Sequence, residues 1–435
     1  MIYRLYYTLF LIIILFFAHN LYAQVNVDLL YKLELSGEYD SNLSLARDDE
    51  DSDWAYLINP SISLDVSTKT TKTLLSYSAT IYNYHKNTED NYIAHALSLN
   101  HSQRVTKRLT FNFYNNFNIT QELYTVNVKG ESNIYRPSSY TIRRERKYHS
   151  SYSGSLKLSY QFGKRDVCYI GYNHYRNWEQ GDTAEEATRY NPVAGISFEL
   201  LEHTFLNLNL SYIKGDFYGG SDDFDELMGT INLTREITKH FSIYGAYSHT
   251  YMDYSGDTED YQIYSPSIGF FYKISKNSSL NFSAGYYIRD KEKSDDEKRL
   301  NLNVDYNYNK KWKINKGYLG FTYSSGYEDT YFGSENLGFT IYQAGGLSFL
   351  YEFTRHLSNS AYLDYRYNKY PDQDPERKDN IISFKDEVNY KITKWMDVSI
   401  SYLFRMLNSN IDDNDYKDHR AVISIVLHDS KKLIK

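Results

Sequence analysis

The stretch Leu280-Asn281-Phe282-Ser283-Ala284-Gly285-Tyr286-Tyr287-Ile288-Arg289 decides the fold. One set of alternate positions is Leu280, Phe282, Ala284, Tyr286 and Ile288, and the other is Asn281, Ser283, Gly285, Tyr287 and Arg289. Successive side chains on a strand point to opposite faces, so the segment has one apolar and one polar side. The same period of two recurs on either side of it. Leu206, Leu208, Leu210 and Tyr212 alternate with Asn207, Asn209 and Ser211. Leu300, Leu302, Val304, Tyr306 and Tyr308 alternate with Asn301, Asn303, Asp305, Asn307 and Asn309. Much of the chain is therefore half-buried strand.

Soluble sandwiches also contain such strands, so the turns arbitrate. They fall into two classes that alternate along the chain. One is short and basic or polar: Thr68-Lys69-Thr70, Thr106-Lys107-Arg108, Gly163-Lys164-Arg165, Thr238-Lys239-His240, Ser275-Lys276-Asn277, Thr354-Arg355-His356 and Thr393-Lys394-Trp395. Less regular members lie at Glu202-His203 and at Lys310 to Lys316. The other class is longer and acidic, as in Arg47 to Asp53, Asp222 to Glu226, Asp257 to Asp260, Pro371 to Asp379 and Ile411 to Asp418. Short periplasmic turns and longer extracellular loops mark outer-membrane barrels. The expectation is ten long loops, nine short turns and 20 antiparallel strands, with 18 the next count. A near-repeat at Glu236 to Phe241, Glu352 to Leu357 and Lys391 to Met396 sits where one strand reaches the inner rim and the next begins.

The N-terminus fits that compartment. Arg4 precedes an apolar run from Leu9 to Ala18, and Leu21-Tyr22-Ala23 ends on a small residue before Gln24. This is the layout of a cleaved signal peptide over residues 1–23, leaving 24–435 as one barrel domain in the outer membrane of a Gram-negative bacterium. The apolar run is short for a spanning helix, which needs about 20 residues. Mean hydropathy of the whole chain is −0.61, as expected if half of every strand is polar. A single cysteine, Cys168, excludes an internal disulfide framework and a cysteine metal site. Aromatic residues gather near strand ends, at Tyr82 to Tyr84, Tyr172 to Trp178 and Tyr365 to Tyr370, where amphipathic rings suit the headgroup level.

A barrel of this size has a consequence. With 16–18 strands the bore already holds an aqueous channel, and the polar faces here are Asn, Ser, Thr and Tyr with occasional charges. The longest connection, roughly Glu122 to Lys147, carries Arg136, Arg143, Arg144, Arg146 and Lys147 against otherwise acidic loops. It is expected either to fold into the lumen as a constriction favouring anions or to stay outside against lipopolysaccharide phosphates. Asp49, Asp51 and Asp53, and Asp412, Asp413 and Asp415, raise divalent-cation binding, but no segment matches a calcium loop and solvated loops are the expectation. No cofactor or metal site is expected.

The opening strands are more specific. Gly37-Glu38-Tyr39-Asp40-Ser41-Asn42-Leu43, followed after an acidic loop by Ile58-Asn59-Pro60-Ser61-Ile62-Ser63-Leu64, resembles the putative β-barrel porin 2 family. The Asn/Ser-Pro element recurs at Asn191-Pro192 and Ser265-Pro266, where a strand leaving the outer rim is expected to start. The resemblance implies an outer-membrane, porin-like barrel, with relatives in exopolysaccharide and capsule systems, and brings no catalytic residues with it. One departure concerns the assembly signal. The last strand, Ala421 to Leu427, is followed by His428 to Lys435 rather than ending on an aromatic residue.

The function expected is a pore for small hydrophilic solutes, including oligosaccharide or exopolysaccharide; the alternative is a non-conducting anchor or adhesin whose acidic loops bind a partner. Expected partners are outer-membrane lipid, lipopolysaccharide, the barrel assembly machinery and a saccharide. An enzyme is not expected, since the best rim constellation, His249 with Asp253 and Asp257, lacks nucleophile–base spacing. An active transporter of the TonB type is disfavoured because strands begin near Tyr31, before any plug domain. A net charge of −7 with no basic face argues against nucleic acid.

Overall fold

The computed structural model describes residues 25–48, 50–128, 137–142, 146–179, 186–311, 315–329, 337–412 and 414–434. The expected signal segment lies outside them. The first strands are β1 (Asn26–Asp40), β2 (Asp53–Ser67), β3 (Thr71–Tyr84), β4 (Tyr92–Arg104) and β5 (Leu109–Thr120). A small hairpin, β6 (Tyr124–Val128) and β7 (Pro137–Ile142), stands in the long third loop. Then come β8 (His149–Gln161), β9 (Val167–Glu179), β10 (Ala187–Leu201), β11 (Thr204–Phe217), β12 (Phe224–Thr238) and β13 (Phe241–Tyr254). They are followed by β14 (Tyr261–Tyr272), β15 (Ser278–Lys291), β16 (Glu297–Lys311), β17 (Lys316–Asp329) and β18 (Phe339–Glu352). The last are β19 (Leu357–Tyr370), β20 (Arg377–Lys391), β21 (Met396–Ser409) and β22 (Tyr416–Ile434).

Apart from the β6–β7 hairpin these strands make one 20-stranded antiparallel sheet. Each pairs with the next in the chain, β5 pairs with β8 across the third loop, and β22 pairs with β1 to close the ring. Closure is what hydrocarbon demands, because a free sheet edge would leave backbone N–H and C=O groups unpaired. No helix among the described residues is long and apolar enough to cross a membrane, so the strands do the crossing. The last strand is longer than expected. It runs through His428 to Ile434, and its ladder with β1 extends from Arg420↔Asp40 to Ile434↔Val27.

Alternation places the two faces as read from the sequence. Leu206, Leu208 and Leu210 look outward from β11, where Leu210 is exposed, while Asn207, Asn209 and Ser211 look into the lumen. Exposed Ile170, Ile268, Leu300 and Ile423 belong to the same outer band, which lipid covers.

The inner turns share one device. The Thr68 hydroxyl oxygen accepts from the N–H of Thr70 and Thr71 at 3.2 and 3.0 Å. Thr106, Thr238 and Thr354 each accept two N–H bonds in the same way, and Thr393 accepts one from Trp395. A hydroxyl that satisfies the turn's own donors fixes the chain reversal locally. That explains the Thr-Lys/Arg repeat.

The prolines sit deeper than expected. Pro60, Pro192 and Pro266 lie several residues inside β2, β10 and β14 rather than at their starts. Each ladder to the following strand skips two positions there, as a residue without N–H requires. At Pro192 the preceding side chain fills the break, since Asn191 Nδ2 donates to the Tyr212 carbonyl at 2.9 Å.

Candidate functional site: the lumen and its outer mouth

Part of the lumen wall is a lattice of neutral hydrogen bonds, with charges such as the Lys385–Glu387 pair elsewhere on it. Asn173 Nδ2 donates to Asn191 Oδ1 at 3.0 Å, and Asn191 Nδ2 to Ser211 Oγ at 2.7 Å. Asn209 accepts from the Tyr169 hydroxyl at 2.8 Å and donates to Thr230 Oγ1 at 3.2 Å. The Tyr318 hydroxyl donates to Asn307 at 2.8 Å, and that of Tyr244 to Asn281 at 3.1 Å. Every partner projects inward by the alternation of its strand. Phenol rings therefore lie along a wall rich in amides and hydroxyls.

At the outer end two sectors fold inward. The first lies at the β1–β22 seam and is built on charge. Arg420 on β22 meets Asp40 at 2.9 Å, Asp418 and Glu122 at 3.2 Å each, and Glu38 at 3.5 Å. Arg405 on β21 meets Asp418 at 2.5 Å. Next to it on β20, Arg377 pairs with Asp379 at 2.9 Å. All these positions project into the lumen, and all of the arginines are buried. Glu122 belongs to the third loop, so this loop reaches β22 from its root on β5. Burial alone would raise the Glu122 carboxyl, but Arg420 and Arg146 outweigh it and hold it down at about 2. Leu123 follows the same path and is buried among Leu45, Ile381, Leu407 and Tyr416.

The first loop completes this sector. Asn42 is wholly buried; its Nδ2 donates to the carbonyls of Ala46 and Lys417 at 2.7 and 2.9 Å, and its Oδ1 accepts from the Ala46 N–H. That clamp holds Leu45 at φ 52, a left-handed backbone unusual for leucine, and turns its side chain inward. Leu43 packs on Ala55, Tyr84 and Tyr92. The motif Asp40-Ser41-Asn42-Leu43 is thus the part of the wall that pins the first loop inside the mouth.

The second sector lies opposite and is aromatic. Phe224, Met252, Tyr254, Tyr261, Ile263 and Tyr287 project inward from β12 to β15 and pack against Phe339 and Ile341 of β18. Tyr327 of β17 stacks on Phe339 at 5.7 Å and meets Tyr287 at 4.9 Å. Arg289 lies over the rings of Tyr261 and Phe339, at 4.0 and 3.9 Å from their centres. It also donates to Asp372, in the loop after β19, at 2.7 and 3.0 Å. Burial would raise the Asp372 carboxyl, but the bonds from Arg289 prevail and lower it.

The expected site residues distribute as follows. Arg136, Arg143 and Arg144 lie outside the described residues. Arg146 is drawn inward: its Nε donates to the Leu43 carbonyl at 3.2 Å, and a terminal nitrogen donates to the Tyr84 hydroxyl at 2.9 Å. Lys147 is exposed. His249 faces Gln262 at 3.1 Å and stacks on Tyr264 at 4.7 Å. Of the acidic loop residues, Asp51 and Asp412 are exposed as expected for solvated loops, while others turn inward to the chain. Asp53 accepts backbone bonds from Trp54, Lys86 and Asn87, Asp222 from Thr258, and Asp415 from Ser409. Their carboxylates tie loop backbone, and in two cases join neighbouring loops; Asp49 and Asp413 lie outside the described residues. Among the described residues no group of three or more His, Cys, Asp or Glu is placed to hold a metal ion. Sequence reasoning missed the arginines at 405 and 420. Their signal was an arginine at an inward position of a strand whose neighbour carries an inward aspartate.

A closed 20-stranded antiparallel barrel with short turns at one rim and long loops at the other is an outer-membrane β-barrel. The family model described as "Putative beta-barrel porin 2" matches residues 320–429, from within β17 to within β22. The resemblance read from the sequence lay at the other end, at Gly37 to Leu64; the two stretches meet where Arg420 contacts Asp40. A search among curated proteins finds no match. Among solved structures the chain is similar to the siderophore receptor PirA from Pseudomonas aeruginosa, at 11% identity and TM-score 0.50, covering 92% of this chain and 80% of that one. It is also similar to a ferric enterobactin receptor mutant from the same organism in complex with enterobactin, at 8% and 0.52, covering 94% and 82%. A variant of the FrpB iron transporter from Neisseria meningitidis gives 10% and 0.53, covering 94% and 82%. At these identities the likeness is of the fold alone.

Proposed function

We propose that the barrel is a passage for hydrophilic solutes, saccharides foremost, whose outer mouth is narrowed by its own first and third loops. The observation that carries this is the Glu122–Arg420 contact with Leu123 beside it. A loop rooted on β5 is held on the far side of the β1–β22 seam, inside a bore too wide for side chains to fill. The lining supports the solute class. Tyrosine faces stack on sugar rings, and amides and hydroxyls exchange hydrogen bonds with them without trapping charge. Arg146 and Lys147, with Arg136, Arg143 and Arg144, are the candidates for an anion preference at the narrowing. Residues 1–23 serve as the export signal in this reading, and the outer loops meet lipopolysaccharide.

Single-channel conductance in a planar bilayer tests the reading, with oligosaccharide added afterwards. Stable steps that sugar blocks, and that enlarge in Leu123→Ala, are expected. A heat-modifiable, folded barrel that passes no current in either form would sink the passage and favour a non-conducting anchor. Cation preference unchanged by Arg143→Ala with Arg144→Ala would remove the anion-selective constriction.

A further inference from the structure

The wall is incomplete in one place. The β16–β17 ladder runs from Lys311↔Lys316 up to Asn303↔Ser324 and ends there. Both strands continue outward, β16 to Glu297 and β17 to Asp329. Above the break β16 stays paired with β15, and β17 with β18. Five further positions are available in the same register, roughly 17 Å of edge at about 3.4 Å per residue. Leu300, on the free stretch of β16, is 72% exposed, the highest value among the large apolar side chains described.

The cause of the gap is the aromatic sector. Phe339 and Ile341 share the alternation phase of Leu347 and Phe349, which look out to lipid. Tyr327 likewise shares the phase of Leu319 and Phe321. At the outer ends of these two strands the same face packs instead on the inward side chains of β13 to β15. The outer ends of the two strands, at Tyr327 and Glu328 and at Phe339 to Ile341, have left the wall for the lumen, with Glu328 engaged by Arg366 on β19. The Leu302 N–H, just above the last pair, donates to the Ser325 hydroxyl at 2.9 Å in place of a ladder bond.

Continuing the register across the gap sets Asn301 opposite Gly326, Leu300 opposite Tyr327 and Arg299 opposite Glu328. The first and third pairs would face the lumen and the second the lipid. An apolar pair on the lipid side and an opposite-charge pair on the water side are what a finished ladder at this position needs. Arg299 is exposed while Tyr287 beside it buries a hydroxyl with no hydrogen-bond partner. We infer that the outer part of the β17–β18 hairpin exchanges between two seats: packed inside on β13 to β15, as here, and zipped to β16 through Arg299–Glu328 and Leu300–Tyr327. The inner seat narrows the mouth and opens a slot in the wall; the outer seat seals the wall and widens the mouth. Each seat satisfies groups that the other leaves bare. The zipped seat pairs the β16 edge, and the inner seat buries the aromatic rings and keeps Glu328 on Arg366.

Cysteine pairs in a Cys168→Ser background test the exchange in lipid vesicles, read as a mobility shift on a gel. Arg299→Cys with Glu328→Cys probes the zipped register, and Asn301→Cys with Gly326→Cys repeats it with other side chains. Asn303→Cys with Ser324→Cys, in the formed ladder, is the reference. Heat-modifiable migration confirms that each variant folds. Cross-linking of either probe pair, increased when Tyr287→Ala weakens the inner seat, is the expected result. Folded variants that cross-link only at the reference pair would overturn the exchange. This gel result does not depend on conduction, so it stands apart from the passage proposed above. In a conducting barrel, the Arg299–Glu328 cross-link is expected to raise conductance. An unchanged conductance would overturn the hairpin's part in narrowing the mouth.

Discussion

The two inward sectors of the mouth do the same work by opposite physics. At the β1–β22 seam, buried arginines are shared among carboxylates from three segments, with Arg420 touching Asp40, Asp418, Glu122 and Glu38. Across the lumen, rings from β12 to β15 close on Phe339 and Ile341 with one arginine laid over them. The charged sector is specific and unforgiving. Each ion is costly to bury and is repaid only while its partners are in place. The aromatic sector is tolerant of direction, because apolar contact is proportional to area rather than to geometry. A loop that must stay docked is therefore expected on the charged side, and an element that moves on the aromatic side.

The largest effect should come from breaking the charged sector at its centre. Arg420→Ala strands several inward carboxylates and is expected to cost about 3–5 kcal/mol, measured by urea unfolding of the barrel in vesicles. Phe339→Ala strikes the other sector and is expected to cost about 3 kcal/mol, no more than the low end of the Arg420→Ala range; a loss exceeding that of Arg420→Ala would reverse the distinction. Leu123→Ala, at the apolar edge of the charged sector, should cost about 2 kcal/mol and free the root of the third loop. That release is visible as faster proteolysis between residues 122 and 147.

Acid should separate the sectors more gently. Glu122 is held at about 2 against an ordinary 4.5, so its contribution is fully present above 4.5 and is lost as pH falls toward 2. Asp372 is lowered as well, and its clasp on Arg289 fades on the acid side of the ordinary carboxylate range. Protease protection of the third loop should thus be level from pH 7 to pH 5 and drop only below. A drop centred near pH 6 would show that Glu122 does not hold it. The smallest effect is expected at an inner turn. Thr354→Ala removes two hydroxyl-to-backbone bonds at an exposed site and should cost no more than about 1 kcal/mol, leaving the mouth untouched.

The barrel was legible because its evidence is local. Alternation over ten residues and a turn every dozen or so give strand number and direction without any knowledge of partners. Ten outer loops and nine inner turns were expected, and the 20 barrel strands are joined in that way. The docking of the loops was not legible, because Arg420 and Asp40 are brought together only by ring closure. The motif at Gly37 to Leu43 stands out in the sequence, but nothing in it says that Asn42 clamps the first loop inward. The aromatic sector was hidden for a sharper reason. Phe339 and Ile341 keep the phase of lipid-facing residues, and a period of two cannot tell a membrane from another wall. The prolines misled because a neighbouring amide can fill a broken ladder, as Asn191 does, so a strand need not start there.

The threonine-capped turns carry one more consequence. Each sets a basic residue at the inner rim, at Lys69, Lys107, Lys239, Arg355 and Lys394, while the outer rim carries Asp222, Asp257, Asp295, Asp374 and Asp412. If the bore conducts as proposed, a cationic end and an anionic end make it electrically a diode. Ions of each sign enter readily at one end and are depleted at the other, so current at equal and opposite voltages should differ, and should become symmetric as salt screens the rims.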